Sequence, residues 1–236
     1  MSVPPNRTHQ IAGGGAPDEF VAGLEDGTTV LFRPIAPEDR ERLRAAFAHL
    51  SPESRYRRFF RAIDRLSDAE LDYLTNVDQK DHVAWVALLR DEPEQPGIGV
   101  ARWVRDPQIP DTAEAAVTVI DAFHNRGIGT TLLQLAAASA IARGVRRFRA
   151  WTIGGNQPVL DILERLGETA GRWESGVLEV TVELPERPED LTRTPAPLIL
   201  RAVATGVLTG EMNAEPPGGV HLSPPRREDD GAPDRT

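Results

Sequence analysis

The chain has 236 residues, 40% apolar and 27% charged, with a formal net charge of −9, enough for one globular domain with appendages. The acidic balance argues against non-specific nucleic-acid binding, and the absence of cysteine excludes disulfides, thiolate metal sites and an acyl-cysteine intermediate. No stretch approaches the roughly 20 apolar residues that cross a bilayer, and residues 1–20 lack the basic start and apolar run of a secretory signal, so a cytoplasmic protein without a membrane partner is expected.

Residues 1–27, with Pro4-Pro5 and Gly13-Gly14-Gly15, read as a flexible arm. Thr29-Val30-Leu31-Phe32-Arg33 reads as a strand stopped by Pro34. Pro37-Glu38-Asp39 opens a helix with proline in its first turn and acids at its positive end. Leu43, Ala46, Phe47 and Leu50 give that helix an apolar stripe. Ser51-Pro52-Glu53-Ser54 repeats the helix-start pattern, and Ser67 with Glu70 forms a capping box.

Strands follow at His82 to Leu89, at Gly97 to Val104 and at Ala115 to Ile120, joined by turns at 91–96 and 106–111. Gly97 to Val104 alternates Ile98, Val100, Arg102 and Val104. A helix runs from Gly127 to Arg143, with no charge before Arg143, and closes at Gly144. Arg147 to Thr152 is a strand, Pro158 to Leu166 a short helix, and Val177 to Leu184 a last alternating strand. This order implies an α/β domain, residues 28–184, with helices on a mixed, largely antiparallel sheet. The tail 185–236 holds nine of the twenty prolines and reads as mostly disordered, with a short helix or strand open at Leu198 to Leu208.

The chemistry concentrates at Gly127-Ile128-Gly129, where a strand turns into a helix. Glycines let the backbone approach an anion, and the unpaired amides of a first helical turn point at it. A tight turn with close helix packing explains the same two glycines, so the motif alone leaves both readings open. Two neighbours add to it. Glu114 lies on the preceding strand, and Gly154-Gly155-Asn156-Gln157-Pro158 follows the next one.

With these neighbours, Thr28 to Leu184 resembles the GNAT superfamily of acyl-coenzyme A-dependent N-acetyltransferases. Residues 113–167 look like the bacterial protein-lysine acetyltransferases of the Pat type, and so do Ser51 to Tyr56 with Arg58-Phe59-Phe60. The larger Pat-type proteins carry a cyclic-nucleotide-binding domain, and the expectation here is a catalytic domain without one. The resemblance implies a GNAT-type fold with a splayed pair of central strands. It implies acetyl-coenzyme A as acyl donor, with the pyrophosphate on the backbone of His124, Asn125, Arg126, Gly127, Ile128, Gly129 and Thr130. The pantetheine arm would add to the edge of Ala116, Val117, Thr118 and Val119 as a pseudo-strand. Asn156 would touch the coenzyme, although capping the helix before Pro158 is equally natural.

Glu114 is the candidate general base, because a lysine amine is protonated at neutral pH. The alternative is a surface glutamate at a strand edge. Amides near Val119 would form the oxyanion site. Without cysteine, direct transfer to a primary amine, for instance a protein lysine, is the expected route. Two positions depart from the family pattern: His124 stands where Gln or Arg usually opens the loop, and Leu163 stands where a tyrosine often protonates the leaving thiolate. The missing tyrosine keeps open an acyl-coenzyme A-binding sensor with little catalysis. Tyr56 and Arg58 would line the acceptor groove or merely pack. His82 with Asp78 and Asp81 lacks a second histidine at ligand spacing, so no metal is expected. A dinucleotide-binding oxidoreductase fits poorly, because its Gly-rich turn follows the first strand of a parallel sheet.

Overall fold

A computed structural model of the chain describes residues 19–92, 94–154 and 156–191. One sheet of eight strands organises them, in the spatial order β1-β2-β3-β4-β5-β6-β8-β7. The strands are β1 (Phe20–Gly23), β2 (Thr29–Pro34), β3 (His82–Leu89), β4 (Gly99–Arg105), β5 (Thr112–Val119), β6 (Arg147–Ile153), β7 (Glu168–Glu174) and β8 (Val177–Glu183). Every pairing is antiparallel except β5 with β6. The expected mixed, largely antiparallel sheet is therefore present.

Five helices flank it: α1 (Arg40–Ala48), α2 (Pro52–Phe59), α3 (Asp68–Thr75), α4 (Ile128–Ala142) and α5 (Gln157–Glu164). The start signals act as read. The Ser51 hydroxyl accepts from Ser54 N–H at 3.1 Å, and Ser67 and Glu70 close a reciprocal capping box. Pro37–Asp39 is a 3₁₀ turn leading into α1. Asp39, 2% exposed, accepts two 2.6 Å bonds from Arg33 and one from Ala36 N–H. That bidentate pair fixes the corner between β2 and α1.

The sheet's two faces divide the work. Val83, Trp85, Ala101, Trp103, Ala113, Ala115 and Phe148 belong to the main core and share it with α4, whose charge-free sequence lets Leu132 through Ala138 be buried almost all round. Trp103 Nε1–H donates to the Ser139 hydroxyl at 2.9 Å across that contact. The opposite face carries His82, Arg102, Glu114 and Arg149 in adjoining strands, on the side covered by α2 and α3.

Three parts of the sequence reading change. Phe20–Gly23 forms β1 inside the segment read as an arm, pairing with β2 and stacking Phe20 on Phe32 at 4.8 Å. Glu168–Glu174 forms the unforeseen edge strand β7. The tail begins with a packed 3₁₀ turn, Pro188–Leu191, whose Leu191 is 2% exposed and joins the main core. Leu198 to Leu208 lies outside the described residues.

Candidate active site

The parallel pair β5–β6 holds only at its start. Thr112, Ala113 and Glu114 face Arg147, Phe148 and Arg149, and Glu114 is the last rung. Beyond it β5 stays with β4 through Val119, while β6 continues along β8 through Ile153. The two strands open into a V whose vertex is Glu114. A cleft of about 1390 Å³ fills the opening, larger than the usual roughly 300–1,000 Å³ of a small-molecule site.

The wide end of the cleft is the start of α4. Asn125 and Gly127 take positive φ, 60° and 78°, so the loop folds tightly at both. The first helical bond runs from Thr131 N–H to Gly127 O at 3.0 Å. The amides of Ile128, Gly129 and Thr130 therefore precede the ladder and have no helical acceptor. No acid lies in this first turn, so the positive end of the helix is not offset.

The two glycines separate on inspection. Gly127 needs its left-handed conformation, which β-carbons disfavour. Gly129 does not, and an added Cβ would meet nothing nearer than Ile162 and Val119 at 3.6 Å. Close helix packing therefore does not account for Gly129.

Most of the expected cofactor residues come together here. Ala116, Val117, Thr118 and Val119 line one wall, and His124, Asn125, Gly127, Ile128, Gly129, Thr130 and Asn156 surround the wide end. The Arg126 guanidinium turns away, pairing with Asp26 at 2.6 Å and lying over the Phe123 ring, which leaves its expected backbone role untouched. His124 Nε2–H donates to Val119 O at 2.8 Å, tying the loop to the end of β5. Asn156 occupies the cap position of α5 without a side-chain cap bond, so the capping alternative is not realised by its amide group.

The vertex end is built differently. Glu114 is half-buried there with Arg58 within electrostatic range. Arg102, 5% exposed, donates to Leu74 O at 3.1 Å and to His82 Nε2 at 3.0 Å. An arginine only donates, so His82 Nε2 accepts and the proton sits on Nδ1. Burial, and secondly the Arg102 charge, push the His82 pKa down to about 3, which keeps the ring neutral near pH 7. Tyr73 lies beside His82 with ring centres 5.0 Å apart. Burial raises its phenol, with Glu114 adding to that rise. Arg58 lines the cleft as expected, whereas Tyr56 is 50% exposed and does not. Leu163 is buried in α5, so that helix brings no hydroxyl to the cleft at this position.

Arg102, Tyr73 and neutral His82 were not singled out as site residues by sequence reasoning. The signal for Arg102 was present, as an arginine in an apolar row. Asp78 accepts from three backbone amides, Asp81 pairs with Arg105, and among the described residues no group of ligands is assembled.

Asp121 joins the two ends. Its carboxylate accepts from Ser51 N–H (3.0 Å), Ser51 Oγ (2.8 Å) and Ser54 Oγ (2.9 Å), tethering α2 to the loop before α4. Burial would raise this carboxyl, but the bonds from Ser51 and Ser54 outweigh it and hold its pKa below the usual value. A depressed folded pKa gives stability that is full above the unfolded pKa and lost as pH falls through the folded one. Asp121→Asn should therefore cost about 1 kcal/mol in urea unfolding, given the partial exposure. The deficit should be constant from pH 8 to 5 and shrink only below about pH 4. A deficit that already changes near neutrality would contradict this assignment.

Comparison with known proteins gives a consistent picture. A profile described as an acetyltransferase (GNAT) domain matches residues 29–169. The chain is 35% identical over 162 residues to acetyltransferase Pat of Mycolicibacterium smegmatis, covering 69% of this chain and 48% of that protein. It thus spans about half the length of that relative. It is 33% identical over 150 residues to acetyltransferase PA5475 of Pseudomonas aeruginosa, covering 64% of this chain and 80% of that one. Among solved structures, the GNAT domain of S. lividans PAT superposes with a TM-score of 0.63 at 32% identity, covering 70% of this chain and 97% of that domain.

Proposed function

The chain belongs to the GNAT acetyltransferase family, and from that premise we propose that it transfers acetyl from acetyl-coenzyme A directly to a primary amine, with Glu114 as general base. The observation that carries this reading is the V between β5 and β6. Its wide end offers the unpaired amides of α4, and its vertex holds one carboxylate.

The pyrophosphate takes the amides from Asn125 through Thr130, drawn by the helix terminus, while the His124 amide is already donated to Asp121 O at 3.2 Å. The pantetheine arm runs down β5 from Val119 to Ala116, exchanging amide hydrogen bonds with the strand edge that β6 has left. Five residue steps along the strand carry Val119 to Glu114, about 17 Å. The thioester therefore reaches the vertex, and the amide that polarises its carbonyl is nearer Ala116 than Val119.

An incoming ammonium gives a proton to Glu114, directly or through a water. The neutral nitrogen attacks the thioester carbon, the C–S bond breaks as the amide forms, and the second proton shed by the nitrogen passes to the departing thiolate, directly or through a water. The thiolate leaves with a proton-accepting strength near that of a free thiol, pKa about 8.5. Tyr73, whose phenol keeps its proton at neutral pH, is the cleft hydroxyl nearest in kind to the tyrosine that Leu163 replaces. A protein lysine suits the acidic chain and the Pat-type similarity.

The absent α5 tyrosine is the one observation favouring an acyl-coenzyme A sensor instead. Free-thiol release against a panel of amines and lysyl peptides separates the two. Acetyl transfer requires acceptor-stimulated release, and acetyl-coenzyme A binding without stimulated release would favour the sensor.

A further inference from the structure

Two cations meet at the inner wall of the cleft without a matching pair of anions. Arg102 reaches in from β4 and Arg58 from α2. Both line the cleft and also the smaller apolar space beneath α1. Arg102 is 5% exposed, yet the two groups it touches, Leu74 O and His82 Nε2, are uncharged. The ion pairs among the described residues include neither guanidinium, and Arg58 lies over the Phe59 ring at 5.1 Å, whereas three other cleft-lining arginines are paired: Arg57 with Glu53, Arg105 with Asp81, and Arg149 with Glu179 and Asp106.

Buried charges are ordinarily paired, because desolvation is otherwise uncompensated. Here burial, followed by repulsion from Arg58, lowers the Arg102 pKa to about 9. Glu114 is the anion within range, and it cannot serve as a permanent counter-ion if it takes and returns protons. With Glu114 ionised, the wall still carries one excess positive charge. The coenzyme's phosphates do not supply the missing anion, since they sit at the other end of β5, about 17 Å away.

We propose that Arg58 and Arg102 form a carboxylate subsite beside Glu114, so that the reacting substrate carries a carboxylate as well as the group being transferred or acylated. This rests on the acetyl-transfer reading of the same cleft and narrows its substrate class. A guanidinium with free donors in a dry wall recognises a carboxylate by charge-assisted, directional bonds. An acceptor ammonium approaching a net positive wall is repelled, and a carboxylate held on the arginines removes that repulsion. The carboxylate has two possible bearers, the acceptor or the far end of the acyl chain.

Matched pairs distinguish them in a thiol-release assay. Glutamate against glutamine, and a lysyl peptide with Glu against Gln beside the lysine, vary the acceptor with acetyl-coenzyme A as donor. Succinyl-coenzyme A against acetyl-coenzyme A, with an uncharged amine, varies the donor. In at least one pair the carboxylate member should show a kcat/KM at least about tenfold higher. In Arg102→Met and in Arg58→Met the ratio within that pair should collapse toward one. Because the readout is a ratio, a general loss of packing in either variant does not mimic it. No preference in any pair, or a preference that survives both substitutions, overturns the subsite while leaving acetyl transfer intact. If no pair is turned over, acetyl transfer itself fails. The subsite is then judged by calorimetric titration of the same acceptors into coenzyme A-saturated protein and of the two acyl-coenzymes into protein alone. Preferential binding of carboxylate members, lost in the variants, supports it, and equal binding refutes it.

Discussion

Glu114→Gln should lower kcat by about 10²–10⁴-fold while leaving acetyl-coenzyme A affinity unchanged. Glutamine keeps the size and a hydrogen-bonding group at the vertex of the V but cannot accept a proton from an ammonium. At pH 7 only about one lysine amine in 2,500 is neutral, so removing the base leaves the reaction waiting on that fraction. The loss corresponds to about 3–5 kcal/mol of transition-state stabilisation. Affinity should hold because the coenzyme's charged end sits at α4, about 17 Å along β5. The pH profile adds a signature that misfolding would not give. The variant's rate should climb about tenfold per pH unit toward pH 10, because the neutral amine fraction does so. Turnover equal to the wild type at pH 7 removes Glu114 from the mechanism.

Gly129→Ala should change stability and binding in opposite directions. The added methyl finds open space, with Ile162 and Val119 at ordinary contact distance. Replacing a helical glycine also restricts the unfolded chain, so the free protein should gain up to about 1 kcal/mol. The same methyl points toward Val117, Val119 and Ile162, all cleft-lining, beside an amide assigned to the pyrophosphate. Acetyl-coenzyme A binding should weaken at least tenfold, about 1.4 kcal/mol or more. Calorimetric titration and thermal unfolding of the one variant measure both effects. Unchanged affinity would return Gly129 to the role of an ordinary turn residue. Gly127→Ala is the weaker test, since its positive φ would strain the loop in any case.

The vertex and the loop differ in how far the sequence disclosed them. The loop's geometry was legible because it is local backbone geometry. Two glycines, a helix start and a charge-free run carry the signal in consecutive residues. The helix caps at Ser51 and Ser67 were legible for the same local reason. Strand β7 was not, because its ETAGRWE sequence is exposed at nearly every position and shows no apolar alternation. Only its ladder with β8 makes it a strand. Phe20–Gly23 was too short to read without β2 beside it.

Of the cationic wall, local reading reached Arg58 but not its meeting with Arg102. Arg58, Tyr73, His82 and Arg102 come from four separate elements, and no spacing links them. What the sequence showed was a single arginine interrupting an apolar row in β4. The register Arg102 opposite Ala116, two residues from Glu114, turns that irregularity into part of the site. Asp121 illustrates the same limit, since its partners lie 67 and 70 residues away.

Isotopically labelled acetyl-coenzyme A, incubated with a cell lysate and the protein and followed by mass spectrometry, tests the central claim most directly. The account predicts labelled acetyl groups on amines, dependent on the protein and sharply reduced with Glu114→Gln. Labelling that is no greater than without the protein, under conditions where acetyl-coenzyme A is bound, would contradict it.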